Sequence, residues 1–554
     1  MRTEWILSNP ALDTYSQNSY VHYWARQFHL HPLLMKHLFL QEINNEDKIS
    51  AFLYPNVQSM YDPFLLNDMK KAVVRIIHAL KNQEKIVIFG DYDVDGMTAS
   101  AILHKGLRQF GADVSIRLPL RSEGYGITPQ FIENLAENVS LVITVDNGSG
   151  AHPAMTTAKR RGIDVIVTDH HEILEEHPDC LAFINPKRSD STYPFDGLCG
   201  AGVAFKLVQA LCQAAGRTWA KEIGEYIELA TLGTMADMMP LIDENRIICW
   251  WGMRKMNQAP SPIFAVLKEL LKVSEVDSST ISFQVAPIFN SCGRIDDPNR
   301  GVQLLIADRF LEDDLRFIIQ LNQLRKELTT SQFGMAEKQI TESGLINDKV
   351  IVVHDDFHNG IVGLLASRIA ERYHKPAIVI AGSGVASARS VQGSDYSIID
   401  LITKCAPMLK KYGGHQAAAG FSVENDALSI RNLIRTFRDL SKDDPIITAR
   451  KSYLGSIPFG QFPLEAIQDY TALEPFGMSN PKPVFFSEPC ASAKIRFFGK
   501  EKHHLEVKAR KQRAIGFHKA GVVGSPHRKK WEFLYSIQSI RNKDFRIEDV
   551  RLIK

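Results

Sequence analysis

The chain has 554 residues, 45% of them hydrophobic, which predicts about three domains with packed cores. Its formal net charge of +2 excludes a globally basic protein, so any nucleic-acid surface must be local. Seven scattered cysteines without a Cys-x-x-Cys pair argue against a structural zinc site, and there is no apolar run of about 18 residues. We therefore expect a soluble, cytoplasmic protein.

An N-terminal extension over residues 1–75 carries a helical pattern broken by prolines, and its aromatic stretch 52–64 is expected to pack on the next domain. From residue 85 the chain alternates between short apolar runs and amphipathic stretches. Strands are predicted at 85–89, 113–118, 141–145 and 164–168, with helices at 99–110, 128–138 and 153–161. This alternation predicts an α/β domain with a doubly wound, mainly parallel sheet.

Three of the predicted strands run into acidic residues or histidines. In chain order these are Asp91, Asp93, Asp95, Asp146, Asp169, His170 and His171. The carboxyl ends of parallel strands share one edge of a sheet, where open α/β folds bind their ligands. Carboxylates crowded there raise one another's pKa unless a cation neutralises them, and oxygen-rich sets suit Mg²⁺ or Mn²⁺. One such ending is also typical of a solvated turn, but three together predict a metal site.

Histidines that are adjacent on an extended strand point to opposite sides. One of His170 and His171 can therefore bind metal while the other faces a substrate, and Asp169 can orient a ring. A polar surface turn is the alternative, although the buried strand before it disfavours that reading. Another carboxylate, Asp237, follows an apolar helical stretch at 227–235 and joins the site only if that helix ends at the same sheet edge.

Four segments, taken in order, resemble the motifs of the DHH phosphoesterase superfamily. They are Asp91-Tyr92-Asp93-Val94-Asp95-Gly96, Asp146-Asn147-Gly148, Asp169-His170-His171 and Ala236-Asp237-Met238-Met239-Pro240. Within the superfamily, the chain from about residue 68 onward is most similar to the RecJ family, bacterial exonucleases that degrade single-stranded DNA 5′→3′ in recombination and repair. The resemblance implies phosphodiester hydrolysis with two metal ions, Mn²⁺ or Mg²⁺.

The resemblance also implies a role for each residue of this site. The metal ligands would be Asp91, Asp93, Asp146, His170 and Asp237. Asp146 would bridge the two ions at the catalytic centre, and His171 would contact the scissile phosphate. Asp95 and Asp169 would hold the ligands in position.

A second set of residues resembles the contacts that this family makes with the nucleic-acid backbone. It comprises Arg121, Tyr125, Arg294, Ser387, Arg389, Gly413, Gly414 and His415. The loop that carries Arg121 is one residue shorter than the family pattern, so the register of Arg121 is open. Taken alone, Gly-Gly-His is typical of a packing turn, but successive glycines also let backbone N–H groups face a phosphate. A slot between the two α/β domains would admit one strand and exclude a duplex.

The remaining stretches complete the domain organisation. A glycine-rich run at 197–202 precedes a helix and suits either phosphate binding or close packing. Short apolar runs after residue 450 predict a small β-barrel that resembles an OB fold, and its basic residues interleaved with Phe497 and Phe498 suit single-strand binding. The predicted domains are an N-terminal helical extension (1–75), a DHH catalytic domain (76–307), a connector helix (308–345), a DHHA1 nucleic-acid-binding domain (346–445) and an OB-fold domain (450–554).

The expected partner is single-stranded DNA, with a helicase and a single-strand-binding protein as further partners, no membrane, and a monomeric state. Two alternatives stay open. One is a DHH phosphodiesterase acting on short oligonucleotides or cyclic dinucleotides, although such relatives are smaller and lack the C-terminal β domain. The other is a non-catalytic, DHH-derived DNA-binding repair factor, which would be expected to have lost metal ligands.

Overall fold

The computed structural model describes residues 2–13, 15–173, 176–307, 312–445, 447–488, 493–499, 502–525, 531–539 and 544–553. The chain divides into two compact units. The larger unit comprises Leu7–Cys292, Asp297–Ile318 and Tyr453–Lys554, and the smaller unit comprises Met1–Ile6, Gly293–Asp296 and Ile319–Ser452. Within the described ranges, no helix combines the length and apolar character needed to span a membrane.

A five-stranded sheet, parallel throughout, organises the N-terminal part of the larger unit. In spatial order its strands are Asp113–Arg117, Lys85–Phe89, Val139–Val145, Asp164–Thr168 and Ala182–Ile184. The chain order reverses on either side of Lys85–Phe89, which makes the gap between that strand and Val139–Val145 the topological switch point. The predicted α/β class with a parallel sheet is therefore confirmed.

Helices connect and cover these strands. They include Met69–Lys81, Val94–Gln109, Pro129–Glu133, His152–Arg161, Gly200–Ala214, Ile227–Ala236, Asp243–Gln258, Pro262–Leu270, Ala286–Ile295 and Pro298–Ile306. The helix predicted at 99–110 begins five residues earlier, because the Asp93 carboxylate accepts a hydrogen bond from the Gly96 amide at 3.1 Å and so caps it. The predicted helix 128–138 is confined to Pro129–Glu133. The three-residue strand Ala182–Ile184 was not predicted, because it is too short to show a periodic pattern.

The predicted C-terminal β domain is present as a seven-stranded sheet in the larger unit. In spatial order its strands are Gly455–Ser456, Val484–Ser487, Trp531–Ser539, Asp544–Leu552, Gln512–Gly516, His504–Ala509 and Lys494–Phe498. The N-terminal helices Tyr15–Gln27, Pro32–Leu40 and Glu46–Leu53 share one hydrophobic core with this sheet.

The aromatic stretch 52–64 was expected to pack on the first domain, and its contacts are in fact divided. Phe52 belongs to the core shared with the C-terminal β domain, whereas the Tyr61 amide donates to Glu244 of the first domain at 3.0 Å. The extension 1–75 is not purely helical either, since Arg2–Leu7 is a strand. Both differences depend on partners several hundred residues away in the chain, which local periodicity does not encode.

The smaller unit contains a mixed five-stranded sheet. In spatial order its strands are Lys411–Gly414, Ala418–Ser422, Val385–Arg389, Ala377–Ala381 and Ile351–Asp355. Its helices include Val362–Tyr373, Ile398–Thr403 and Ala427–Ser441. The predicted long connector is a helix over Glu312–Glu342, and it passes from the larger unit to the smaller one between Ile318 and Ile319. Residues 308–311 of the predicted connector lie outside the described ranges.

A buried ion pair in the larger unit joins the helices Gly200–Ala214 and Asp243–Gln258. Lys206 Nζ is 2.9 Å from Glu244 Oε1, and both side chains are fully buried. Lys206 also donates to the Tyr61 carbonyl oxygen at 2.7 Å, while Glu244 accepts from the Tyr193 hydroxyl. Because water does not reach the pair, its charges are stabilised only by these protein partners.

We expect Lys206→Met to lower the free energy of unfolding by about 3–5 kcal/mol, because it leaves the Glu244 charge buried without its counter-ion. Urea unfolding of the full chain measures the change. The matched control is Lys159→Met, which removes a pair with Asp179 whose side chains are 72% and 79% exposed and should cost less than about 1 kcal/mol. Equal effects of the two substitutions would contradict the structural role of the buried pair.

Candidate metal centre and nucleic-acid interface

Three neighbouring strands of the parallel sheet end at the same level. Phe89 pairs with Thr144, and Val145 pairs with Thr168, so the residues that follow emerge at one edge. The strand ends at 89 and 145 flank the topological switch point, where open α/β sheets form their ligand crevice. Here Asp146 adopts a left-handed backbone with φ of 63°, which turns the chain sharply away from the strand.

The side chains expected to bind metal are brought together at this edge. One group is Asp91, Asp93 and Asp146, another is Asp146, His170 and His171, and a third is Asp95, His170 and Asp237. Within each group the candidate ligand atoms lie within 4.8 Å of one another. Nε2 of His170 is 3.0 Å from Asp146 Oδ1 and 3.7 Å from Asp237 Oδ2. Asp146 is the residue that the first two groups share.

The position of Asp237 answers a question that the sequence left open. The apolar helix Ile227–Ala236 ends at Asp237, and that end reaches the sheet edge beside His170. Asp237 therefore lies in the cluster rather than serving only as a polar helix end.

Several polar atoms in the cluster are buried without satisfied hydrogen bonds. Among the described residues, Asp91 Oδ1, Asp146 Oδ1 and both ring nitrogens of His170 have no hydrogen-bond partner, since the 3.0 Å contact between His170 and Asp146 lacks hydrogen-bond geometry. Buried polar groups are normally satisfied, so these atoms require another partner. Carboxylate oxygens together with an imidazole nitrogen fit a divalent cation.

The electrostatics of the cluster point the same way. Burial, followed by the charges of Asp95 and Asp93, raises the pKa of Asp146 well above its ordinary value and the pKa of Asp237 to about 8. Burial also lowers the pKa of His170 to about 4, so this ring is neutral and has a lone pair for a metal. The protein alone does not compensate these carboxylates, and a bound dication would.

Asp95 is held by the start of the helix Gly200–Ala214. Its Oδ2 accepts from the Gly200 amide at 2.6 Å, and its Oδ1 accepts from the Ala201 amide at 2.8 Å. A Cβ at position 200 would lie 2.4 Å from Cβ of Asp146, so the glycine allows this close approach. Of the two readings of the glycine-rich run, close packing is the one observed. The helix N-terminus binds a carboxylate of the chain itself.

His171 faces outward beside His170, and Asp169 holds it. Nδ1 of His171 is 2.8 Å from Asp169 Oδ1, and the Ser149 amide donates to Asp169 Oδ2 at 2.9 Å. Burial lowers the pKa of His171, but the hydrogen bond and charge of Asp169 outweigh it and raise the pKa to about 9. Burial raises the pKa of Asp169, but the same contacts hold it well below its usual range. His171 is thus protonated at neutral pH.

Two residues of the loop before the helix Pro129–Glu133 border this site. The Tyr125 hydroxyl is 3.1 Å from Nδ1 of His171 and donates to the Asp146 carbonyl oxygen at 3.2 Å. The Arg121 guanidinium lies over the Tyr92 ring, 4.2 Å from its centroid. The loop therefore brings both predicted residues next to the acidic motif despite its shortened spacing.

Sequence reasoning missed Asn185. Its Nδ2 donates to the His171 carbonyl oxygen at 3.0 Å and to Ser149 Oγ at 3.1 Å, which ties the histidine segment to the neighbouring loop. Asn185 follows the short strand Ala182–Ile184, so it lies at the same sheet edge as the acidic residues. The missed strand concealed this residue, and the sequence offered no other signal for it.

Four residues of the second predicted set, Ser387, Arg389, Gly413 and Gly414, lie on the mixed sheet of the smaller unit. Ser387 pairs with Gly420, which pairs in turn with Gly413, and Arg389 pairs with Ala418. Positions 387 and 389 share one face of the sheet, where their paired residues are Gly420 and Ala418 on one side and Val379 and Ala377 on the other. Gly363 of the helix Val362–Tyr373 lies beside the same two side chains, since a Cβ there would be 3.2 Å from Nη2 of Arg389 and 3.3 Å from Oγ of Ser387.

Arg389 donates to Ser387 Oγ at 2.9 Å and to its neighbour's carbonyl oxygen at 2.8 Å. Burial lowers the pKa of this guanidinium, and no described carboxylate lies within ion-pair distance of it. The cation is thus available to an anionic ligand.

Gly414, His415 and Arg294 also lie in the smaller unit. A Cβ at Gly414, where φ is 144°, would lie 2.4 Å from Ala419 Cα, so the hairpin requires glycine there. His415 follows in the turn, where its amide donates to the Ala418 carbonyl oxygen at 2.8 Å. Arg294 donates to the Gly360 carbonyl oxygen at 3.1 Å.

The fold and the acidic and histidine cluster at its switch point define a DHH-type domain. Family models match in three places: the DHH family N-terminal domain at residues 85–234, the DHHA1 domain at 347–443 and the RecJ OB domain at 455–543. The single-stranded-DNA-specific exonuclease RecJ of Salmonella typhimurium is 34% identical over 454 residues, which cover 76% of this chain and 78% of that protein. The chain belongs to the RecJ family.

Two further relatives extend the comparison. The RecJ exonuclease of Bacillus subtilis is 34% identical over 516 residues, and the match covers 89% of this chain but only 64% of that protein. The crystal structure of Thermus thermophilus RecJ in complex with Mn²⁺ superposes with a TM-score of 0.82 at 25% identity, covering 100% of this chain and 80% of that one. The three-part architecture is thus that of a solved RecJ.

In the metal-free protein, Asp169→Asn is expected to lower the pKa of His171 from about 9 toward the ordinary value near 6.5, because the substitution removes the negative partner. Since the folded-state pKa is raised, the contact stabilises the wild type fully below about pH 6.5, and this increment is lost as the pH rises through 9. Imidazole NMR titration measures the pKa. Asp179→Asn, at an exposed carboxylate, is the control; an unchanged His171 titration in Asp169→Asn would refute the contact.

Proposed function

We propose that the protein is a single-stranded-DNA-specific exonuclease that degrades DNA 5′→3′ by two-metal-ion hydrolysis, in recombination and repair. The observation that carries this proposal is the position of Asp146, shared by a carboxylate group and a carboxylate–histidine group at the switch point of the sheet. The activity named for the RecJ relatives supports the substrate and the reaction.

Two Mn²⁺ or Mg²⁺ ions fit this donor set. Asp91, Asp93 and Asp146 would hold one ion, and Asp146, His170 and Asp237 the other. When bound, the ions supply charge stabilisation at the phosphate and a nucleophilic water at neutral pH. The unsatisfied buried atoms of Asp91, Asp146 and His170 and the Mn²⁺ complex of the Thermus thermophilus relative support the assignment.

His171 would act on the substrate rather than on the metal. It is protonated at neutral pH and half-exposed, so it can donate a hydrogen bond to a non-bridging oxygen of the scissile phosphate. Asp169 keeps the ring oriented and charged, and Asp95 holds the metal-binding edge against the helix Gly200–Ala214. Tyr125 and Arg121 would contact the nucleotide that enters beside this histidine.

Each predicted domain would have its own part in binding or cleaving DNA. The domains are an N-terminal extension (1–75), the DHH domain (76–307), a connector (308–345), the DHHA1 domain (346–445) and the OB domain (450–554). In the DHHA1 domain, Ser387, Arg389 and the hairpin of Gly413, Gly414 and His415 would bind the DNA backbone, with Arg294 as a further contact. The OB domain would hold the incoming strand.

We further propose that the enzyme works as a cytoplasmic monomer, with a helicase and a single-strand-binding protein as partners.

The alternative functions fit the chain less well. A non-catalytic repair factor does not require a complete ligand set, yet every predicted metal-binding side chain is present and clustered. An enzyme for dinucleotides does not require the matched OB domain, which gives a surface for longer strands.

Asp146→Asn should reduce digestion of a 5′-labelled single strand with Mn²⁺ by about a hundredfold or more, because it removes the shared charge while asparagine still accepts the left-handed backbone. The control Asp179→Asn should digest like the wild type. Parallel reactions on 3′-labelled and duplex DNA measure the polarity and strand preference. Undiminished digestion by Asp146→Asn would eliminate the proposed site, and absence of digestion by the wild type would favour the binding-protein alternative.

In the inactive Asp146→Asn background, Arg389→Ala should weaken single-strand binding by about tenfold to a hundredfold, since a hydrogen-bonded charge on a phosphate contributes about 1.5–3 kcal/mol. The slope of log affinity against log salt should fall by about 0.7, the value for one lost phosphate contact on a single strand. Fluorescence anisotropy over a salt series measures both. Arg372→Ala, at an exposed arginine of the same unit, is the control, and equal binding of the two variants would exclude Arg389 from the interface.

A further inference from the structure

Three histidines lie together at one end of a hairpin in the C-terminal β domain, far in sequence from the acidic centre. His504 is the first residue of strand His504–Ala509 and His503 directly precedes it, while His518 is in the turn after strand Gln512–Gly516. The antiparallel pair Leu505 and Gly516 sets these two ends side by side. We call His503, His504 and His518 the histidine cluster.

The rings of the histidine cluster are in mutual contact. Their centroids are 4.2 Å apart for His503 and His504, 4.6 Å for His503 and His518, and 4.8 Å for His504 and His518. Each ring offers one nitrogen such that all three lie within 4.8 Å of one another. Zinc–imidazole bonds of about 2.0–2.1 Å place two nitrogens of one tetrahedral ion roughly 3.4 Å apart. Movements of about 1 Å or less by each ring would bring the nitrogens from within 4.8 Å to this tetrahedral spacing.

We infer that the histidine cluster is a binding site for a divalent transition-metal ion of the zinc class. Its ligand chemistry differs from that of the acidic centre, because three imidazoles and no carboxylate form the set. Imidazole suits Zn²⁺, Cu²⁺ and Ni²⁺, whereas Mg²⁺ and Mn²⁺ favour oxygen ligands. Three protein ligands leave a fourth tetrahedral position for water or another donor.

The ring of His504 is held in place by its neighbours before any ion binds. Gly499 has a φ of 93°, and a Cβ there would lie 2.9 Å from Cδ2 of His504, so only glycine lets the chain pass this close to the ring. The rings of Phe498 and Phe517 lie 5.2 Å and 5.4 Å from that of His504. A positioned ligand loses less conformational freedom on binding, which favours affinity.

The backbone also limits how tightly the ion is held. The His518 amide donates to Nδ1 of His504 at 3.2 Å, so that nitrogen carries a lone pair directed at the turn. Coordination through it displaces the amide. The site is therefore expected to bind metal reversibly rather than as a permanent structural ion.

Equilibrium dialysis of the untagged full chain against Zn²⁺ tests the inference. All proteins carry Asp146→Asn and are dialysed with excess Mg²⁺, so the comparison does not depend on nuclease activity. His518→Ala should bind the cluster's zinc at least tenfold more weakly, and His503→Ala should behave likewise. His177→Ala, at an exposed histidine of the DHH domain, is the matched control and should retain the parent's affinity.

The dialysis results distinguish zinc bound at the histidine cluster from zinc bound elsewhere on the protein. Loss of one zinc equivalent in both cluster variants but not in the control supports the site. Equal zinc binding by the parent, the cluster variants and the control overturns it, as does the absence of any zinc binding that outlasts the excess Mg²⁺. X-ray absorption of the zinc-loaded parent gives an independent readout, since a first shell of several imidazole nitrogens is expected and an oxygen-only shell would also overturn the inference.

Discussion

The repulsion among carboxylates buried at one sheet edge is the constraint on which the rest of the structure depends. Asp91, Asp95 and Asp146 are all buried there, and desolvation alone would disfavour their charged forms. The fold compensates part of this cost locally. Two amides at the start of the helix Gly200–Ala214 bind Asp95, and the Gly96 amide binds Asp93. What those amides leave uncompensated is the negative charge that suits divalent cations.

The same edge separates two kinds of histidine by their surroundings. His170 is buried among acids and is neutral, while its neighbour His171 is half-exposed, paired with Asp169 and charged. One ring can thus act as a ligand and the other as a donor to a phosphate, although the residues are of one type and adjacent in sequence. In the smaller unit the relevant features are different: Ser387 and Arg389 share a sheet face with the hairpin glycine Gly413, and the charge of Arg389 has no carboxylate partner among the described residues. Sequence-independent recognition of a DNA backbone needs only such features.

Much of the fold could be predicted because its signals are local. The strands Lys85–Phe89 and Asp164–Thr168 were predicted to the residue, since a buried parallel strand is a short apolar run bounded by polar residues. The helix after the first strand was placed too late because its capping residue, Asp93, was considered only as a candidate ligand. The strand Ala182–Ile184 and the site residue Asn185 were missed together, as three residues carry no period. The packing of the N-terminal helices against the C-terminal β domain depends on residues more than 400 positions apart.

The sequence by itself determined the α/β class, the order of the strands along the chain and the identity of the acidic and histidine side chains that follow them. These are properties of short segments, and their motifs resemble one family in a specific order. Only the tertiary structure decided which of these side chains meet. It brought Asp237 to the sheet edge, assigned the start of the helix Gly200–Ala214 to Asp95, and set His503 and His504 beside His518. The physical reason is that such contacts arise where helix ends and strand pairings join segments that are distant in the chain. The periodicity of one segment does not indicate which distant segment it will contact.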